Sequence, residues 1–118
     1  MGADKLHTLR VRARELVDEG RFGEAMCRYV EAAEYADHIG VRVEGEQLRA
    51  RARQVIVFVW ARARGLDIGF DAVRPVYVPA GGLLIGPTRR FTIRTSEGEL
   101  TALVDSSDRV RLAPRRKT

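Results

Sequence analysis

The hydrophobic period of this chain changes once, near Gly65, and that change limits the fold more than any other feature. Before Gly65 apolar residues recur every three or four positions, as on one face of a helix. After it they alternate, or come in short β-prone runs bounded by Gly and Pro. Helices followed by strands specify an α+β arrangement. A length of 118 residues suits one domain and can bury one sizeable core. The sequence therefore predicts an N-terminal three-helix unit, residues 1–64, packed on a C-terminal antiparallel β-meander, residues 65–118, around a shared core.

The first helix is predicted over 6–19, where Leu6, Leu9, Ala13, Leu16 and Val17 form a stripe that Gly20 ends. The second runs over 23–38, with Ala25, Tyr29, Ala32 and Ala36 in line, and Gly40 ends it. The third spans 43–64. Leu48, Ala52, Val55, Ile56, Val59 and Ala63 lie within roughly 100° of arc at about 100° per residue. Val57, Phe58 and Trp60 point away from that stripe, so the C-terminal half or a second protomer has to cover them.

The strand half starts with a connector, 65–71. Short β-prone runs follow at 76–78 and 83–85. Residues 90–104 read as a β-hairpin, in which Phe91 and Ile93 share a face and Ser96-Glu97-Gly98-Glu99 supplies the turn. A second turn at Asp105–Asp108 leads into a strand around Val110 and Leu112. This spacing suits a meander of three to five strands, either a curled sheet or a small barrel resembling a Src-homology-3 module. The tail, 114–118, is predicted to fray.

Leu9, Ala13, Leu16, Gly20, Phe22, Ala25, Tyr29 and Ala32 fall at the spacing of a tetratricopeptide repeat, and residues 6–39 resemble one such repeat. Ala13 and Ala25 are small where two antiparallel helices approach, while Phe22 and Tyr29 fill the space between them. Arg12 stands where the repeat has an apolar residue, and no proline closes the second helix. The same hairpin is similar to the three-helix microtubule-interacting-and-transport domain. Both resemblances imply a protein-binding helical hairpin, and neither specifies a ligand.

Of 21 basic residues, only Lys5 and Lys117 are lysine; the rest are arginine. The overall charge of +5 is unevenly spread: residues 1–41 carry −2, 42–64 carry +4 and 65–118 carry +3. On the third helix Arg42, Arg49, Arg53 and Arg64 share a sector with Trp60. Arginines around an aromatic could grip a phosphate backbone and stack a base, and Arg89, Arg90, Arg94, Arg109 and Arg111 could extend that surface. The same arginines could instead pair with Glu44, Glu46 and acids of the second helix. Glu24, Glu31 and Glu34 form an acidic face on the second helix, available to another protein or a second copy, or simply solvated.

No reaction is legible. Cys27 lacks a base within reach, since His38 is eleven positions along the same helix, about 16 Å away at 1.5 Å per residue. One Cys and two His do not make a structural zinc site. The glycines of 79–86 lack the Gly-Lys-Ser/Thr of a P-loop and fit a hairpin turn or a bulge. No cofactor is expected. The chain has no apolar run of membrane-spanning length and no export signal, so a cytoplasmic protein is expected. The expected function is a non-catalytic protein-interaction module that binds another protein or itself through its helical face. The alternative is a small nucleic-acid-binding protein that uses its arginines.

Overall fold

The computed structural model describes residues 2–77 and 87–114. Three helices, α1 (Gly2–Asp18), α2 (Phe22–His38) and α3 (Arg42–Ala63), precede a single 3₁₀ turn, Phe70–Ala72. Four strands follow: β1 (Val73–Val76), β2 (Arg90–Thr95), β3 (Gly98–Val104) and β4 (Val110–Leu112). They form one antiparallel sheet in the order β1-β2-β3-β4. The α+β class is as the sequence specifies. Among the described residues the meander is an open sheet and not a closed barrel, with its first and last strands as the two edges.

All three helices stop by one device. Gly20, Gly40 and Gly65 adopt φ of 76°, 83° and 87°, where a side chain would strain the backbone. The N–H of the next residue then reaches back five positions: Arg21 to the Leu16 carbonyl at 2.8 Å, Val41 to Ala36 at 2.9 Å and Leu66 to Ala61 at 3.2 Å. This capping satisfies carbonyls that a helix end leaves orphaned and reverses the chain at once. It sets α1 and α3 against α2. The helices cross closely where side chains are smallest. A Cβ on buried Gly45 would collide with the Asp37 carboxylate and lie 3.3 Å from the Ala33 carbonyl.

Two element boundaries differ from the sequence expectation. α1 begins at Gly2, not residue 6, because its first turn packs against the end of α2 near Tyr35 and Ile39. The first strand is Val73–Val76 in place of 76–78, and it includes Pro75. β1 is an edge, so Pro75 removes no interior ladder bond. The run expected at 83–85, and the tail beyond Pro114, lie outside the described residues.

One contiguous core links helices and sheet. Val73, Phe91, Ile93, Ala102 and Val104 supply the inner face of the sheet, and all are buried. Val73 pairs with Ile93, and Phe91 with Ala102, so period-2 alternation places them on one side. α3 spans both halves. Its Leu48, Ala52 and Val55 are buried as expected, but Val59 and Ala63 are exposed and Ile56 is half-buried. The reason is that α3 has two covers. α2 packs on α3, and so do the sheet and the 3₁₀ turn, and Val57, Phe58 and Ala61 are buried. Phe58 meets Phe22 of α2 edge-on at 5.5 Å and Phe70 at 5.7 Å. Such geometry adds to simple burial.

Phe58→Ala is expected to cost about 3–4 kcal/mol, the usual result for emptying a buried aromatic site. Helical circular dichroism and Trp60 fluorescence are expected to melt together at a lowered Tm. Two separate transitions would show that the halves do not share one core.

Candidate functional site

The helix arginines meet acids at close range. Glu46, one turn into α3, accepts from Arg49 Nε at 2.9 Å, from Arg53 Nη1 at 3.2 Å and from the Thr88 backbone N–H at 3.1 Å. Arg53 also donates to the Thr88 carbonyl at 3.1 Å. Arg49 reaches Asp37 of α2 at 2.7 Å. Burial disfavours the Glu46 charge, but the bonds from Arg49, Thr88 and Arg53 outweigh it and hold the carboxyl below its ordinary value. Arg49 and Arg53 thus tie α3 to α2 and to the segment entering β2. They are partnered inside the fold and do not present free guanidinium forks.

The remaining predicted arginines are dispersed. Arg42 is exposed at the start of α3. Arg64, just past its end, stacks over the Trp60 ring at 4.5 Å. Arg89 donates to the Asp105 carbonyl at 2.8 Å. Arg90 alternates with buried Phe91, so it lies on the outer face of the sheet, as do Arg94 and Arg111 by register. α3 packs on the inner face, so Arg90, Arg94 and Arg111 do not share a surface with the helix arginines, whereas Arg109, in the turn before β4, lines the same hollow as Trp60. On α2, Glu24 pairs with Arg21 at 2.6 Å and Glu31 with Arg28 at 2.8 Å, both between neighbouring turns; Glu34 is exposed. Cys27 is exposed. Among the described residues no group of three or more His, Cys, Asp or Glu could hold a metal ion, and no helix is long and apolar enough to cross a membrane.

The most distinctive surface is an open apolar groove of about 620 Å³ between α2, α3 and β4. Phe22 and Met26, four apart on α2, form one wall. Ile56, Val59 and Trp60 of α3 form the other, and Val110 of β4 closes the end. Exposed Gly23 also lines it, with nothing within 4 Å of where a Cβ would stand. Asp108 and Arg109 stand at the rim. Their turn is held by Asp105, whose carboxylate accepts from the Ser107 and Arg109 N–H groups at 2.8 and 3.0 Å, which lowers its pKa. Asp108 adopts a φ of 60° there.

Sequence reasoning placed Trp60 at a candidate surface and noted surplus apolar character near Val57–Trp60. It missed Phe22, Met26 and Val110. The spacing of Phe22 and Met26 on one stripe of α2 was the available signal. Nothing in the sequence brings β4 to that stripe. Compared with protein-family models, curated proteins and solved structures, the chain matches none.

Glu46→Gln is expected to lower stability at neutral pH by about 2 kcal/mol, as for loss of charge-assisted bonds. Because the folded pKa of Glu46 is depressed, its stabilisation is present above the ordinary value of 4.5 and is lost as pH falls below it. The gap between wild type and variant should therefore close in acid. Chemical denaturation at neutral and acid pH checks this; a gap independent of pH would contradict it.

Proposed function

We propose that this protein is a non-catalytic interaction module that receives an apolar helical segment of another protein in the groove between α2, α3 and β4. The observation that carries the reading is the groove itself: Phe22, Met26, Ile56, Val59, Trp60 and Val110 converge on one open hollow. Exposed apolar surface of this kind marks interaction sites, and helix-in-groove docking uses anchors spaced i, i+3/i+4 and i+7. Arg64 beside Trp60 and Arg109 at the rim, on a chain of charge +5, favour acidic residues flanking those anchors. Aromatic and arginine side chains are also the residue types that dominate binding energy at interfaces.

The nucleic-acid reading has less behind it. Arg49 and Arg53 are bonded to Glu46, and Arg90, Arg94 and Arg111 lie on the outer face of the sheet, away from α3.

Selection from a displayed peptide library, followed by fluorescence titration, tests the proposal. Trp60 is the only tryptophan, so its emission reports on the groove. Selected peptides are expected to carry helical apolar anchors with Asp or Glu beside them. Val59→Arg is expected to weaken them at least about tenfold, or 1.4 kcal/mol, at unchanged Tm. Binding indifferent to Val59→Arg would overturn the site. Concentration-dependent dimers that Val59→Arg abolishes would make a second copy the occupant. Duplex DNA bound at physiological salt would favour the arginine reading.

A further inference from the structure

A second hollow, about 370 Å³, opens between α1 and α3 over the middle of α2, and its chemistry is polar and cationic. Arg10 and Arg14, one turn apart on α1, form one side; Gln47 and Arg51, one turn apart on α3, form the other. Tyr29 of α2 stands between them, its residue surface only 3% exposed.

These groups are not equivalent. Arg14 is committed: Nη1 and Nη2 hold Asp71 at 2.9 and 3.2 Å, and Nε reaches Asp18 at 3.2 Å. Arg10 is held loosely, 3.6 Å from Glu44 with both side chains half-exposed. Arg51 makes no ion pair among the described residues, although Asp71, committed to Arg14, lies within its electrostatic reach. Arg51 Nη1 donates to Gln54 Oε1 at 2.7 Å, and the buried Gln54 donates from Nε2 to the Phe70 carbonyl at 3.2 Å. A neutral amide thus aims a guanidinium whose remaining N–H groups have no partner among the described residues. Burial holds the Tyr29 phenol above its ordinary value; Arg51, Arg14 and Arg10 pull it down and Asp18 pushes it up, so all four charges lie within electrostatic reach of that side chain.

We propose that this hollow binds an organic phosphate, with Arg51, Arg10, the Tyr29 hydroxyl and the Gln47 amide holding the head. Donors arriving from three helices suit an oxyanion with several acceptor oxygens, and guanidinium forks match phosphate well. The volume exceeds what a bare phosphate needs. Phe70 and Tyr77 line the same hollow, and a neighbouring depression of about 340 Å³ continues past Arg51 and Tyr77 to Arg74. Phe70 is buried with Arg14 over its ring at 5.1 Å, so the exposed Tyr77 ring is the wall that accommodates a planar body. The site shares no lining residue with the apolar groove, so it stands independently of the function proposed above.

Calorimetric titration of the full chain with inorganic phosphate, phenyl phosphate and benzoate tests the assignment at low ionic strength, where such contacts are least screened. Phenyl phosphate is expected to bind at least about tenfold more tightly than either other probe. Arg51→Met is expected to weaken it about tenfold or more. Tyr29→Phe removes only a hydroxyl and is expected to weaken it about threefold or more, with Tm unchanged; it keeps the test decisive if Arg51→Met unfolds. Val59→Arg should leave this binding intact. Absence of phenyl phosphate binding, equal binding of benzoate, full affinity in Arg51→Met, or, where Arg51→Met does not fold, full affinity in Tyr29→Phe would overturn the proposal.

Discussion

Phe58 is the contact on which the two halves of the molecule depend. Its ring meets α2 through Phe22 and the segment entering the sheet through Phe70, and the Arg62 guanidinium lies 5.5 Å from its centre. Each half is covered in part by the other at this joint. A two-helix hairpin leaves one face bare, and a four-stranded open sheet leaves one side apolar. α3 resolves both needs by covering the hairpin with one stripe and the sheet with another. The Glu46 cluster supports the same joint from the polar side, since its bonds to Thr88 fasten α3 to the chain entering β2.

The same joint accounts for the groove. Successive residues of a helix differ by about 100°, so turning Val57 and Phe58 inward turns Val59 outward and leaves Trp60 at the margin. The apolar residues at the end of α3 outnumber the positions that α2 and the sheet can cover. The surplus meets Phe22 and Met26 of α2 and Val110 of the edge strand, and it forms a hollow instead of a scatter of single exposed side chains.

What could be read beforehand follows from the range of each interaction. Helix ends at Gly20 and Gly40 were legible because the signal is local: a residue that tolerates positive φ directly after a periodic run. The β2–β3 hairpin was legible for the same reason, with Phe91 and Ile93 alternating before a turn. The orientation of late α3 was not legible. Whether Val59 or Phe58 faces inward depends on the sheet, which lies far along the chain. Gln54 was missed altogether, because a buried amide is recognisable only once the Phe70 carbonyl and Arg51 are placed beside it. Of the arginine sector, Arg42, Arg49 and Arg53 lie on α3 and Arg64 just past its end, and the acids that occupy Arg49 and Arg53, Glu46 and Asp37, are identifiable only from the packed helices.

The borders of the sheet have a consequence for how any partner can approach. β1 is four residues long and contains Pro75, which has no N–H to offer; β4 is only three residues long and carries Arg111 at its centre. Short, charged or proline-bearing margins discourage the addition of a further strand from another molecule. Recognition by backbone zippering is therefore poorly served by the described residues. Visitors are steered toward encounters in which side-chain shape and charge decide the outcome, and chance growth of the sheet into larger aggregates is resisted by the same few residues.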